Sequence, residues 1–388
     1  MSNNSINWHN LRDNLTLDGR AFINGKRVAA KRSQVFDCVS PIDGQKIADI
    51  ARCGMHDVEL AVQAARTAFE DGRWAKKSPK DRKNILINFS RLIRENAETL
   101  ALMETLDMGK PANYSLNVDV TSAANSLQWY GECIDKVYDE IAPTADNALG
   151  LITREAMGVV AAIVPWNYPM IMAAWKIAPA LAAGNSVILK HSSQTPMCAE
   201  LISKALNGTG IPEGLFQYIH TDHNTCEKII SDTRIAHVVF TGSVNGGKQI
   251  KKYIGERFIN VGLELGGKDP AYVRADCDLN HAIENLIDGA FFNSGQSCCG
   301  IERIYVDKSV FKDFVDGAKS LTEKYILGDP SKTETNLGPV VKMSAANFIR
   351  SQVEEAISRG AQKVVDESKF SIVSKDNCYI APQILVDV

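Results

Sequence analysis

The stretch VVAAIVPWNYP (159–169) decides how the rest of the chain is read. Its first six residues, VVAAIV (159–164), are all apolar and predict a strand buried on both faces; PWNYP (165–169) ends that strand with two prolines. The pattern recurs in SVILK (186–190), FQYIH (216–220), AHVVF (236–240) and FINVGLEL (258–265), with helical stretches in every gap. Continuous apolar strands alternating with helices predict an α/β fold, a parallel sheet of the dinucleotide-binding type covered on both faces. A second α/β block follows: a helix near 279–292, the strand RIYV (303–306), a helix near 309–325 and another near 344–359.

Upstream, the first part reads as mainly helical. DVELAVQAARTAFEDG places Val58, Ala61, Ala65 and Phe69 on one helical face. Ser78 and Pro79 read as the N-cap and first residue of a helix that runs to Met108, where Gly109-Lys110-Pro111 stops it. Another helix is expected over roughly 117–135. Residues 137–155 hold strand-like pieces around a Pro/Asn/Asp turn, a hairpin outside the main alternation and a candidate oligomer contact.

Composition narrows the classes of function. The 388 residues are 45% hydrophobic and 23% charged, ordinary for a globular protein of two or three domains. A net charge of −3 gives no basic surplus for nucleic acid. No apolar run reaches the length of a membrane span, and MSNNSINWHN lacks the features of a signal peptide, so a cytoplasmic protein is expected. The nine cysteines are scattered without framework spacing and read as reduced thiols. Neither C-x-x-C nor H-E-x-x-H occurs, so no metal site is expected.

Four short motifs carry candidate chemistry. FTGSVNGG (240–247) follows a strand and opens a helix, so the N–H groups of Gly242 and Ser243 either face an anion or only close a turn. The prolines around Asn167 hold its amide in place, either as a neutral donor to a developing oxyanion or as a partner for its own turn. LELGG (263–267) carries Glu264, a general base with raised pKa or a solvated edge-strand acid. FFNSGQSCCG (291–300) sets Cys298 beside Cys299. Neighbours in extended chain point opposite ways, so at most one thiol faces a given pocket. Backbone N–H groups at the start of a segment lower a thiol's pKa, and cysteine sulfur is a strong nucleophile; two buried thiols are the bland alternative. The seven histidines lie away from these motifs in sequence.

Taken together, FTGS, LELGGK, PWN, LK followed by a TP pair, and FFNSGQSC resemble the aldehyde dehydrogenase superfamily, and the likeness runs from FINGK (22–26) to the end. The resemblance implies a Rossmann-type NAD(P)-binding domain of residues 1–136 and 156–263, an oligomerisation hairpin at 137–155 and a catalytic domain at 264–388, in a homodimer or homotetramer. It implies that Cys298, in the pattern Gly-Gln-x-Cys, is the nucleophile, with Cys299 an auxiliary neighbour. Glu264 becomes the base that activates water. Asn167 and the N–H of Cys298 become the oxyanion hole. NAD or NADP is the implied cofactor: Lys190 contacts its adenosine ribose, and Gly242, Ser243 and Gly247 lie along its pyrophosphate. Ile163, Pro165, Trp166, Ser193, Glu264 and Leu265 complete its surroundings. The implied reaction is attack of the Cys298 thiolate on an aldehyde carbonyl, hydride transfer to the nicotinamide, and hydrolysis of the resulting thioester.

Tyr168, Met172 and Trp175 match positions that line the family's substrate tunnel. WYGECIDKVYDEIAPT (129–144) resembles the branch acting on γ-glutamyl-γ-aminobutyraldehyde and related aminoaldehydes. In that setting Asp119 is either an acid at the tunnel mouth that attracts an amine or a solvated acid on a helix. Two departures stand out. Ser193 occupies the position of a glutamate that binds the ribose hydroxyls, so NADP is expected to be tolerated. Family members continue beyond the position of Val388 into a Glu-Ile-Phe-Gly-Pro segment, so a catalytic domain incomplete at its C-terminus is expected, as a fragment or a shortened form. A non-catalytic binding or structural role and a coenzyme A-acylating reaction are the alternatives; Glu264 argues against the second. The expected partner is a small-molecule aldehyde, with neither nucleic acid nor membrane.

Overall fold

A computed structural model describes residues 6–388. Four strands, β1 (Ala21–Ile23), β2 (Lys26–Val28), β3 (Val35–Val39) and β4 (Lys46–Ala51), precede the first long helix. The hairpin β5 (Glu140–Ala142) and β6 (Gly150–Ile152) follows. Then come β7 (Val159–Ile163), β8 (Ser186–Lys190), β9 (Phe216–Ile219), β10 (Ile235–Gly242), β11 (Val261–Leu265), β12 (Asp269–Val273) and β13 (Ile301–Val306). The main sheet has the order β11-β10-β7-β8-β9-β1-β2, and β7 to β11 are mutually parallel. Strands β7 and β9 are buried along their whole length; β7 therefore reads as an uninterrupted apolar run, whereas β9 carries buried Gln217, whose amide donates to the Gly214 carbonyl at 2.6 Å and whose Oε1 accepts from the N–H of Asn24 at 2.7 Å.

The sheet grows from β7 through β8 to β9, then returns to add β10 and β11 on the other side of β7. Adjacent chain connections therefore leave in opposite directions between β7 and β10. In open α/β sheets a crevice for ligands opens beyond the carboxyl ends of the strands at such a point.

Several expectations need correction. The N-terminal part is mainly helical, as expected, but it also supplies strands that were not: β1 joins the main sheet antiparallel to β9, with Phe22 opposite Tyr218, and β2 pairs antiparallel with β1. Their turn is Asn24-Gly25, both with positive φ (51° and 76°), a strong two-residue hairpin signal in a sequence whose strands are only three residues long. The helix expected from 79 to 108 is two helices, Pro79–Glu95 and Ala97–Met108. At the break, the Asn96 amide donates to the Leu92 carbonyl at 2.8 Å, which closes the first helix. Ala68 is buried where Phe69 was expected, and Phe69 is half-buried. The strand expected at 258–265 starts at Val261, leaving Phe258 fully exposed.

His191 and His220 are both buried, and the Nε2 of His191 and both ring nitrogens of His220 lack hydrogen-bond partners. The His220 ring sits edge-on to Phe36 and Tyr218, with centroids 5.8 and 4.5 Å away. Burial, then the charges of His191 and Lys190, holds His220 well below its ordinary pKa. The unfolded chain therefore takes up a proton near pH 6.5 that the folded chain refuses, and this part of the stability is lost as pH falls. His220→Phe keeps the edge-on packing and removes the titration. Its stability relative to wild type is expected to rise by about 1.4 kcal/mol per pH unit below about pH 6.5, measured by urea unfolding from pH 7.5 to 5.5. A difference independent of pH would refute the assignment.

Candidate active site

The crevice between β7 and β10 is framed by two helix starts. After β7, Tyr168 caps the helix Pro169–Ala182, its carbonyl accepting from the N–H of Met172 at 2.9 Å. After β10, Ser243 caps the helix Val244–Ile254, its hydroxyl accepting from the N–H of Gly246 at 3.1 Å. This helix sits hard on the sheet. A β-carbon at Gly242 would lie 2.5 Å from the Phe240 ring, and one at Gly247 would lie 2.7 Å from Leu265. Glycine is what lets backbone N–H groups approach a phosphate here, so the residues fit a pyrophosphate of NAD(P). At the end of β8 the Lys190 amine is largely buried, and burial lowers its pKa against the opposing influence of Cys226 and Asp222. Ser193 is exposed just beyond it. Ile163 is buried at the end of β7, with Pro165 and Trp166 half-buried after it.

The cysteine loop begins where the helix Leu279–Phe291 ends. Asn293, Ser294 and Gly295 take three successive left-handed conformations, with φ of 54°, 56° and 73°. Such conformations cost roughly 1–3 kcal/mol at a non-glycine residue, less for asparagine, and persist only where the surroundings enforce them. The enforcing contacts come from three directions. The Asn293 amide donates to the carbonyls of Asn167 (3.0 Å) and Gln296 (3.3 Å), and the Asn167 amide donates to the same Gln296 carbonyl at 3.0 Å. Gln296 spans the loop, its Nε2 donating to the Asn293 carbonyl (3.1 Å) and its Oε1 accepting from the N–H of Val341 (2.9 Å). The Ser294 hydroxyl donates to the Gly338 carbonyl at 2.9 Å. Next to the thiols, the hydroxyls of Tyr168 and Ser297 are 2.5 Å apart. From the third side, the β-carbon position of Gly267 lies 3.4 Å from the Cys298 carbonyl. PWN, LELGG and GQSCC, far apart in sequence, thus meet around one loop.

Within the loop, both Cys298 and Cys299 are exposed, because residues 297–300 form a turn closed by the Gly300 N–H on the Ser297 carbonyl at 3.2 Å. The extended geometry that would have pointed the thiols apart is absent. Burial and the adjacent Cys299 raise the Cys298 pKa, outweighing the backbone N–H groups that lower it. The expected depression is therefore corrected. Glu264 is exposed on β11, near enough to favour the charged form of Lys176, whose burial works the other way. Leu265 is half-buried against Gly247.

Tyr168, Met172 and Trp175 share one face of their helix and run from half-buried through buried to exposed; the Trp175 indole donates to Ser126 at 3.0 Å. Asp119 does not join them at a tunnel mouth, nor is it solvated. It is fully buried and paired with Lys110 at 2.6 Å, because the helix carrying it begins as a π-helix, Ser115–Val120, that turns this residue inward. The reading of the sequence missed Asn293, Gln296 and Lys110. Only Asn293 left a signal, as an asparagine before Ser-Gly where left-handed backbone is tolerated.

The aldehyde dehydrogenase family matches residues 28–388. The chain belongs to the aldehyde dehydrogenase family, and its chemistry is the NAD(P)-dependent oxidation of an aldehyde to an acid. The NADP/NAD-dependent aldehyde dehydrogenase PuuC of Escherichia coli (strain K12) is 38% identical over 384 residues, which cover 98% of this chain and 77% of that protein. The crystal structure of the aldehyde dehydrogenase KauB from Pseudomonas aeruginosa superposes with a TM-score of 0.92 at 42% identity, covering 97% of this chain and 77% of that one. The γ-glutamyl-γ-aminobutyraldehyde dehydrogenase from Burkholderia cenocepacia J2315 superposes at 0.92 with 37% identity and the same coverages. Among the described residues no helix is long and apolar enough to cross a membrane.

Proposed function

We propose that Cys298 is the nucleophile, Asn167 the oxyanion donor and Glu264 the hydrolytic base of this oxidation. The observation that carries the reading is the convergence of Asn167, Gly267 and the Cys298 backbone on one strained loop. An attacking Cys298 sulfur turns the carbonyl oxygen into an oxyanion. Asn167 spends one N–H on Gln296 and keeps its second for that oxygen. NAD(P)+ bound in the β7/β10 crevice supplies the hydride acceptor. Glu264 then takes a proton from water, and the hydroxide releases the acid from the thioester on Cys298.

In this reading residues 1–136 and 156–263 belong to the cofactor domain, residues 1–5 lying outside the described residues, and 264–388 to the catalytic domain. The 137–155 hairpin is an oligomer contact, supported by its exposed apolar side chains: Ile141 and Leu149 are each 72% exposed. An aminoaldehyde is the proposed substrate class, in line with the name of the Burkholderia relative, a γ-glutamyl-γ-aminobutyraldehyde dehydrogenase. Localisation in the cytoplasm is part of the same proposal.

The test is an aldehyde panel with both cofactors and acid as the measured product. Exposed Ser193 offers no charge to repel a 2′-phosphate. Ser193→Glu is expected to lower kcat/KM with NADP by at least about tenfold while leaving NAD little changed, the equivalent of about 1.4 kcal/mol of repulsion. An unchanged ratio of the two efficiencies would remove Ser193 from cofactor choice.

A further inference from the structure

Lys110 is an ionisable residue with no access to water. It is 1% exposed, held by Glu104 at 2.9 Å and Asp119 at 2.6 Å, and both carboxylates are themselves fully buried. Burial opposes its charge, but the two carboxylates outweigh that and keep its pKa raised. A buried pair is a poor device for stability alone, since apolar residues of similar volume often serve as well. This one is also crowded: burial, then the neighbouring Asp119, holds the Glu104 carboxyl well above its ordinary pKa. Its arrangement calls for another reason, and the remaining contact of Lys110 supplies one.

The Lys110 ammonium lies 4.1 Å from the centroid of the Tyr168 ring. A cation over an aromatic face is attracted by the ring quadrupole, more strongly away from water. Tyr168 follows Asn167 directly, and its hydroxyl is 2.5 Å from that of Ser297, which precedes Cys298. One aromatic ring therefore links the oxyanion donor on one side to the nucleophile's neighbour on the other. A second route reaches the same loop. Gly109 has φ 84°, and a β-carbon there would lie 2.6 Å from Pro339, while one at Gly338 would lie 1.8 Å from the Gly109 carbonyl. The turn carrying Lys110 is thus seated on residues 338–341, which bind Ser294 and Gln296.

We propose that Lys110 is a positioning residue: anchored by Glu104 and Asp119, it fixes the Tyr168 ring, and Tyr168 through Ser297 holds Cys298 in register with Asn167. The proposal rests on Cys298 being the nucleophile. The relay adds no atom to the reaction; it removes freedom from the two groups that must meet one carbonyl. A displacement of about 1 Å in such groups costs of the order of 100-fold in rate.

The experiment compares Tyr168→Phe, Ser297→Ala and Lys110→Met/Glu104→Gln, the last relieving part of the unpaired negative charge. Each is read by kcat, KM and the iodoacetamide rate at Cys298, mapped by peptide mass. Expected are losses of about 10- to 100-fold in kcat and in alkylation rate, with KM changed less than about threefold. Combined variants are expected to lose no more than the worst single one, since each breaks the same chain. Wild-type alkylation in Tyr168→Phe, or losses that multiply, overturn the relay. If Lys110→Met/Glu104→Gln does not fold, Lys110→Arg replaces it. A guanidinium keeps the charge but not one nitrogen on both carboxylates and the ring. It should show the same alkylation loss, and a wild-type rate there also overturns the proposal. Cys298→Ser separates the two claims. If it stays active the nucleophile is misassigned; if it is inactive while Tyr168→Phe behaves as wild type, only the relay fails.

Discussion

Cys298→Ala is expected to reduce aldehyde oxidation by at least about 10⁴-fold, with cofactor binding retained. Removal of a nucleophile leaves only the contributions of binding and oxyanion stabilisation. Cys299→Ala is the matched control and should stay active. Because the adjacent Cys299 helps raise the Cys298 pKa, the control should also shift alkylation of Cys298 to lower pH. The raised value does not make Cys298 the least reactive thiol. Cys53 is buried and pushed up to about 12, and Cys38 is buried beside Asp107 and pushed up further. Iodoacetamide at limiting concentration should therefore modify Cys298 well before either. Comparable rates at the three sites would count against an accessible nucleophile, and an active Cys298→Ala protein would end the assignment.

The second large effect is a change in kinetic form rather than only in rate. Glu264→Gln removes the proposed base for hydrolysis but nothing the proposal uses for attack or hydride loss. Steady-state turnover should drop by about 10²- to 10⁴-fold, the usual worth of a general base. Rapid mixing should still show a burst of reduced cofactor approaching one per active chain, followed by a slow phase, with the acyl group left on Cys298 and detectable by mass. Loss of the burst together with turnover would mean that Glu264 acts before the thioester forms.

The core of the fold was legible because its signal is local. A strand buried on both faces is predominantly apolar, so the runs in β7 to β10 stand out from their surroundings. The motifs were legible for a related reason: they sit at strand ends, where a proline or a glycine breaks a run. The short edge strands were not, since three residues carry too little pattern to compete with the helices that follow. Asp119 shows the limit most clearly. Spacing put it on a helix, but no spacing says that the helix starts as a π-helix or that Lys110 waits in the core.

What the amino-acid sequence determined by itself is the alternation of parallel core strands with helices, and the candidate groups Asn167, Glu264 and the adjacent Cys298 and Cys299. What only the tertiary structure decided is their relation: the β7/β10 crevice, the three left-handed residues before Gln296, the direction of both thiols, and the buried Lys110 beneath Tyr168. The reason is physical. Periodicity reports which faces leave water, a property of neighbouring residues. Which groups then share a hydrogen bond across 129 positions, as Asn167 and Gln296 do, depends on the packing of the whole chain.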